Sequence, residues 1–425
     1  MPGAAHTIRR PNVKIALLGQ FGSGNFGNDG SLEAMVGVLK RECPSPDLIC
    51  ICSNPDVVRE RLGIEAISIS ATAPRSRLFS VLDRVALGVP GKLRTLLAAW
   101  YGCKGVDAVI IPGTGILDDF QDHAFGWPYV LLRWCVAARL RGASLALVSI
   151  GAGPIHGRLS RWFLTRAAKL STYRSYRDDR SRSFMSSIGV KVSNDPVYPD
   201  LAFSLPSPES VTAGPPTICL GLMTYCGWRK GAPQSRSTFD EYLDKIEVLV
   251  GGLVAKGWRV RLLGGDASDI EALEATLERV DRSGELRQQG IITAPQHCSL
   301  MGIKSLISDC DAVIATRFHN VVCALSMMKP TLSIGYADKN DVVLERAGLG
   351  SYCHHIETFE PKDILSGLDD LLAEREQVVW HISRFLQEAQ ADLSEQEEHL
   401  YAMLGLVPAP AKRTHPSVEN AHCSL

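Results

Sequence analysis

Unbroken apolar runs, each closed by a turn and followed by residues of helical spacing, recur along this chain. In the first half the runs are KIALLG (14 to 19), LICICS, EAISIS, AVIIPG (108 to 113) and LALVSIG (145 to 151). SLEAMVGVLKREC and WPYVLLRWCVAARLRGA lie between them with the period of a helix. Strands without polar alternation are covered on both faces, so the pattern predicts a parallel sheet wrapped by helices.

After LPSPESVTAGPPT, residues 205 to 217, the same alternation begins again, and this proline-rich stretch reads as an interdomain linker. TICLGLM, RVRLLGG, DAVIAT and TLSIGY are strands, and FDEYLDKIEVLVGGLVAKG, EALEATLERVDRSG, LMGIKSLISDC and VVCALSMM are helices. The expected fold is α/β: two Rossmann-like domains facing a cleft, a GT-B-like architecture, with residues 1–210 and 211–360 as the domains. Residues 361–406 read as helices packing across both, and 407–425, which lack apolar periodicity, as a disordered tail. Residues 78 to 102, LFSVLDRVALGVPGKLRTLLAAWYG, read as a core-facing pair of amphipathic helices. Contact with a membrane surface, or with a second copy in a homo-oligomer, is the alternative.

Composition narrows the functions. With 45 Lys and Arg against 46 Asp and Glu, the net charge of -1 supplies no bulk field for nucleic acid, so an anion site must be built locally. The 12 cysteines are scattered singly with no metal-ligand spacing, which suits buried thiols in a reducing compartment. The start, MPGAAHTIRRPNVKIALLG, lacks the apolar stretch of a signal peptide, and no run reaches the roughly 20 apolar residues that span a bilayer. The chain therefore reads as soluble and cytoplasmic.

Candidate chemistry gathers at expected strand ends. DAVIATRFHN places Arg317 and His319 after a strand, with Asn320 or a neighbour opening the next helix. Ligands of open α/β sheets bind there; Arg offers a fork for phosphate or carboxylate, and His moves protons near neutral pH. GQFGSGNFGNDG after the first strand contains the spacing of a dinucleotide turn, but no acid stands at the end of the second strand to hold a ribose. A substrate-lining loop with Asn25, Asn28 and Asp29 is the better reading. PGTGILDD and SIGAGPI read as further glycine turns on the same rim, the first bringing Gly115, Asp118 and Asp119. Arg177 follows a short strand and reaches the cleft or pairs with Asp178. Lys339, in GYADKND, stands where another cation meets the same anion.

The ordered set resembles the polysaccharide pyruvyl transferase family over about residues 14 to 356. It comprises the turn at Gly22 to Asp29, PGTGILDD, the Arg177-Asp178 helix start with IGV after it, DPVYPDLAF, RFH, and the Tyr336 to Lys339 pair; Phe318 stands where Leu is commoner. The resemblance implies a GT-B-like fold, with the first domain on the acceptor side and the second on the donor side. It also implies transfer of a pyruvyl group from phosphoenolpyruvate to a sugar of a polysaccharide or lipid-linked oligosaccharide, as a cyclic ketal. His319 would then be the acid/base, with Asp29 beside it in catalysis. Arg317, Arg177, Phe318 and Lys339 would hold the donor, and Asn25, Gly115, Asp118 and Asp119 the acceptor. No metal or cofactor is called for, since Arg can neutralise the phosphate. Two other readings stand beside it: a nucleotide-sugar glycosyltransferase on the same fold, and a catalytically silent glycan-binding protein.

Overall fold

A computed structural model describes residues 13–42, 46–70, 89–119, 122–209, 214–227, 235–297 and 299–406. The apolar runs form most of two six-stranded sheets, which short strands that the runs did not include complete at their edges. The first holds β1 (Lys14–Leu18), β2 (Asp47–Cys52), β3 (Glu65–Ser68), β4 (Ala108–Leu117), β5 (Ser144–Ala152) and β6 (Tyr173–Tyr176), in the order β3-β2-β1-β4-β5-β6. The second holds β7 (Thr217–Gly221), β8 (Arg259–Leu263), β9 (Ile292–Thr293), β10 (Ala312–Ala315), β11 (Thr331–Gly335) and β12 (Cys353–His355), in the order β12-β11-β10-β7-β8-β9. Neighbouring strands are parallel throughout both sheets. Each sheet changes its direction of winding once, between β1 and β4 and between β7 and β10. Loops leaving the carboxyl ends of such a strand pair diverge and open a crevice.

Both faces of β1 are buried, as an unbroken apolar run requires: Ile15 and Leu17 point into one hydrophobic cluster, Ala16 and Leu18 into another. The first cluster continues through Leu201 and Phe203 into Ile314 and Leu332 of the second sheet, so the domains share a core. The helix Arg375–Leu404 reinforces this junction. Phe385 meets Phe203 edge-on, Gln396 Nε2 donates to Ser149 and Ser175 at 2.8 and 2.9 Å, and Tyr401 Oη donates to the Val38 carbonyl at 2.7 Å.

Several local expectations change. PGTGILDD is not a glycine turn, because β4 runs on to Leu117 beside β5, with a bulge between Thr114 and Leu117. In SIGAGPI, β5 runs on through Gly151 to Ala152, and Gly153 follows the strand with a φ of 82°; Ser149 adopts a φ of 49° inside a buried hydrogen-bond network. The helix after β10 opens at Phe318. The helix Val89–Gly102 is not core-facing, since Ala99 is its buried residue while Val89, Leu93, Leu96, Leu97 and Tyr101 are exposed. Residues 78–88 of that expected pair and the tail 407–425 lie outside the described residues.

Candidate active site

The second sheet supplies one wall. β10 is pinned at its end by Thr316 Oγ1, which donates to the Gly221 carbonyl at 2.6 Å, and Arg317 then stands at the N-cap of the helix Phe318–Ser326. Its Nε and Nη2 grip Asp269 at 3.1 and 2.5 Å, and this carboxylate, fully buried, also accepts from Gly265 N at 2.9 Å. Gly265 is needed for this approach: a Cβ there would lie 2.8 Å from Arg317 Cγ. After β11, Lys339 Nζ donates to Tyr336 Oη at 2.7 Å. Burial by itself pushes the Tyr336 phenol up, but Lys339 and Arg317 outweigh it and hold it below its ordinary value.

The first sheet supplies the other wall. Arg177 leaves β6 and lies across Gly151, where a Cβ would sit 2.6 Å from the guanidinium carbon. The guanidinium stacks on the Phe318 ring of the second domain at 4.9 Å, a contact that holds a cation against an apolar surface. Its Nη1 lies 3.9 Å from Asp200 Oδ2, and the same oxygen lies 3.8 Å from His319 Nε2. Asp200 Oδ1 is tied down by Ala202 N at 3.0 Å, at the start of the short 3-10 turn Leu201–Ser204. Arg177 Nε, Asp200 Oδ2 and His319 Nε2 are all buried without a hydrogen-bond partner, although buried polar groups are ordinarily paired. A cation, an anion and an imidazole are thus brought together with hydrogen-bonding capacity that a polar ligand would use. The other side of the imidazole is closed by Gly27, where a Cβ would overlap the ring. Burial drives the His319 pKa down to about 4; Asp200 opposes this, and the charges of Arg177 and Lys339 add to it.

The structure places the remaining expected residues as follows. Asp29, expected beside His319 in catalysis, accepts from Gly22 N at 2.7 Å and from Arg61 at 2.8 Å, one bond to each carboxylate oxygen. Burial raises its pKa against those two partners. Asn25 is a latch between domains: its Nδ2 donates to Asp266 at 3.0 Å, its Oδ1 accepts from Asn28 N at 3.0 Å, and Ala267 N donates to the Gly24 carbonyl at 3.0 Å. Asp119 accepts from His156 N and Gly157 N at 2.9 and 2.7 Å, ordering the entry to the helix Arg158–Leu170. Gly115 lies near both Asp118 and Arg177, since a Cβ there would sit 3.5 Å from Asp118 Oδ2 and 3.8 Å from Arg177 Nη2. Asp200 was visible from sequence only as part of the DPVYPDLAF loop, with no role given to it, and Asp269 was not singled out. Each is one Asp among many in a loop, and only the fold brings them to His319 and Arg317.

A cavity of about 320 Å³ lies elsewhere in the second domain, lined by Tyr225, Thr238, Tyr242, Lys245 and Glu357 among others. None of its lining residues is Arg177, Asp200, Arg317 or His319. Arg177 Nε also lies 3.5 Å from Asp178 Oδ2, but with Asp200 Oδ2 and His319 Nε2 it still lacks a hydrogen bond, and these atoms mark the site better than this volume because a charged ligand would satisfy them. Among the described residues no three His, Cys, Asp or Glu side chains are grouped to hold a metal ion.

Solved structures share the architecture. A UDP-N-acetylglucosamine 2-epimerase from Listeria monocytogenes, titled putative, aligns with a TM-score of 0.61 at 10% identity, over 95% of this chain and 100% of its own. MnaA of S. aureus with UDP gives 0.60 at 12% identity, over 94% and 100%. Acinetobacter baumannii MurG gives 0.52 at 13%, over 92% and 99%. The fold is therefore GT-B. No curated protein matches the sequence. Residues 25–338 match the family model for polysaccharide pyruvyl transferase, a span that contains Asn25, Arg177, Asp200, Arg317, His319 and Tyr336, and the chain belongs to that family.

Proposed function

We propose that the protein transfers a pyruvyl group from phosphoenolpyruvate to a sugar of a polysaccharide or lipid-linked oligosaccharide, forming a cyclic ketal and releasing phosphate. The observation that carries this reading is the buried, unpaired His319 Nε2 between Asp200 and Arg177, in a chain of this family. Phosphoenolpyruvate presents a carboxylate and a phosphate, and Arg177 and Lys339 are the cations acting on His319.

Without ligand the imidazole is neutral at pH 7, its pKa being about 4. An incoming anion offsets the positive field of Arg177 and Lys339, so donor binding itself raises the proton affinity of His319. The protonated imidazole then delivers its proton to the methylene carbon of the donor, which becomes a methyl group while C2 gains oxocarbenium character. A sugar hydroxyl adds to C2 and returns a proton to the imidazole. The C2–O bond to phosphate breaks, a second hydroxyl of the same sugar closes the ring, and its proton leaves with the phosphate. Protons balance over the cycle. Asp200 stabilises the imidazolium, and Tyr336, with its lowered pKa, is a second proton-transfer group on the donor side.

The test is phosphate release from phosphoenolpyruvate with candidate glycan acceptors, together with thermal stabilisation by the donor. His319→Ala is expected to lower kcat by at least roughly 100-fold, the usual contribution of a general acid/base. Stabilisation by UDP or GDP and none by phosphoenolpyruvate would replace this reading with a nucleotide-sugar glycosyltransferase; binding of neither donor would leave a glycan-binding protein.

A further inference from the structure

One face of the first domain inverts the usual distribution of side chains. The helix Val89–Gly102 points Val89, Leu93, Leu97 and Tyr101 outward on a single stripe, with Tyr101 69% exposed. A helix in a protein used only in water buries such a stripe. Its first turn abuts the loop before the helix Trp127–Leu140: Lys92 Nζ lies 3.6 Å from the centre of the Phe125 ring, and Tyr129 Oη donates to the Lys92 carbonyl at 3.2 Å. Phe125 in turn packs on Phe163, which packs on Trp162, at 5.8 and 5.4 Å between ring centres. Phe125 and Trp162 are 48% and 50% exposed. The apolar stripe therefore continues as an aromatic ridge onto the helix Arg158–Leu170.

The charged residues of the two helices are of one sign, while Asp122 in the Phe125 loop is tied to Trp127 N. Lys92 and Arg94 lie on the helix Val89–Gly102, and Arg158, Arg161, Arg166 and Lys169 on the helix Arg158–Leu170, with no acidic residue on either. The whole chain is balanced at -1, so this local excess is not inherited from composition. Apolar and aromatic side chains ringed by cations fit the boundary between acyl chains and anionic headgroups. A second copy fits poorly, because a two-fold contact would set the same cations against each other. Among the described residues no helix is long and apolar enough to cross a membrane, which makes the contact one of surface docking.

We infer that this face docks the protein on an anionic lipid bilayer. The face adjoins the expected acceptor rim, since Asp119 anchors the entry to the helix that carries Trp162. A lipid-linked acceptor would thus meet the site from the surface on which the protein sits; this delivery role rests on the proposed reaction, whereas the docking does not.

The full chain is to be sedimented, without substrate, with vesicles of phosphatidylcholine alone and of phosphatidylcholine with an equal part of phosphatidylglycerol. Binding is expected to the anionic vesicles and to fall with added salt. Leu97→Glu with Trp162→Glu, and separately Arg161→Glu with Arg166→Glu, are each expected to weaken partition by roughly tenfold or more. Failure of the native chain to bind anionic vesicles, or equal binding by both variants, overturns the inference. So does a native dimer, seen by sedimentation velocity, that these substitutions dissociate. With no substrate in the assay, failure of docking and failure of the proposed reaction are distinguishable.

Discussion

At the scale of single residues, His319 owes its chemistry to where its ring is put. Gly27 closes one side, Phe318 meets it edge-on at 5.1 Å, and Asp200 faces Nε2 from the other domain. Asp200 touches the imidazole rather than a substrate, so its effect should run through the charge on His319. Asp200→Asn keeps the shape and removes the charge that favours the imidazolium. It is expected to lower kcat by roughly 10- to 100-fold with KM for the donor little changed, and to move the basic limb of the pH–rate profile, set by loss of the His319 proton, downward. A loss of stability with an unmoved pH profile would show a packing role instead. The same scale explains what was hard to read in advance. Arg317, His319 and Arg177 were visible as polar groups at strand ends, whereas Asp200 and Asp29 differ in role only because one faces the imidazole and the other is held by Gly22 and Arg61.

At the scale of elements, the site depends on how strands end and what holds the ends. β5 keeps pairing through its glycines because Gly151 makes room for Arg177, and Ser149 holds its unusual backbone through bonds to Ser175, to the Pro199 carbonyl and to Gln396. That Pro199 contact fixes the residue next to Asp200, so the helix Arg375–Leu404 reaches the site through one buried amide. Gln396→Ala leaves the Ser149 and Ser175 hydroxyls short of a partner and is expected to destabilise the protein by about 1–3 kcal/mol, measured by denaturant unfolding. No change beyond a few tenths would show that water replaces the amide. The strands built on continuous apolar runs were legible, since such short runs between turns fit a sheet covered on both faces, whereas the short edge strands β9 and β12 were not. The course of PGTGILDD was not legible either, since β4 continues through it to Leu117. A glycine leaves the same trace in a sequence whether it turns the chain or lets a side chain cross a strand.

At the scale of the whole molecule, the two switch points meet, and burial at their junction links stability to pH. His319 titrates near its ordinary 6.5 when unfolded and at about 4 when folded. Between these values the unfolded chain holds the proton and the folded chain does not, so this contribution is intact above pH 6.5 and is lost as pH falls toward 4. Between pH 7 and pH 5 the native chain is expected to lose roughly 2 kcal/mol more than His319→Gln, read from denaturant midpoints at both pH values. Equal losses would show that the imidazole is solvated. The sequence by itself determined the two parallel sheets, the family and the Arg and His at the end of β10, because these follow from local periodicity and from motif order along the chain. Tertiary structure alone decided that Asp200 and Arg177 face His319, that Arg317 is gripped by Asp269, that Asn25 latches the domains, and that the stripe from Val89 to Tyr101 faces outward. Periodicity tells which side chains share a face, but what lies opposite that face is set by segments hundreds of residues away.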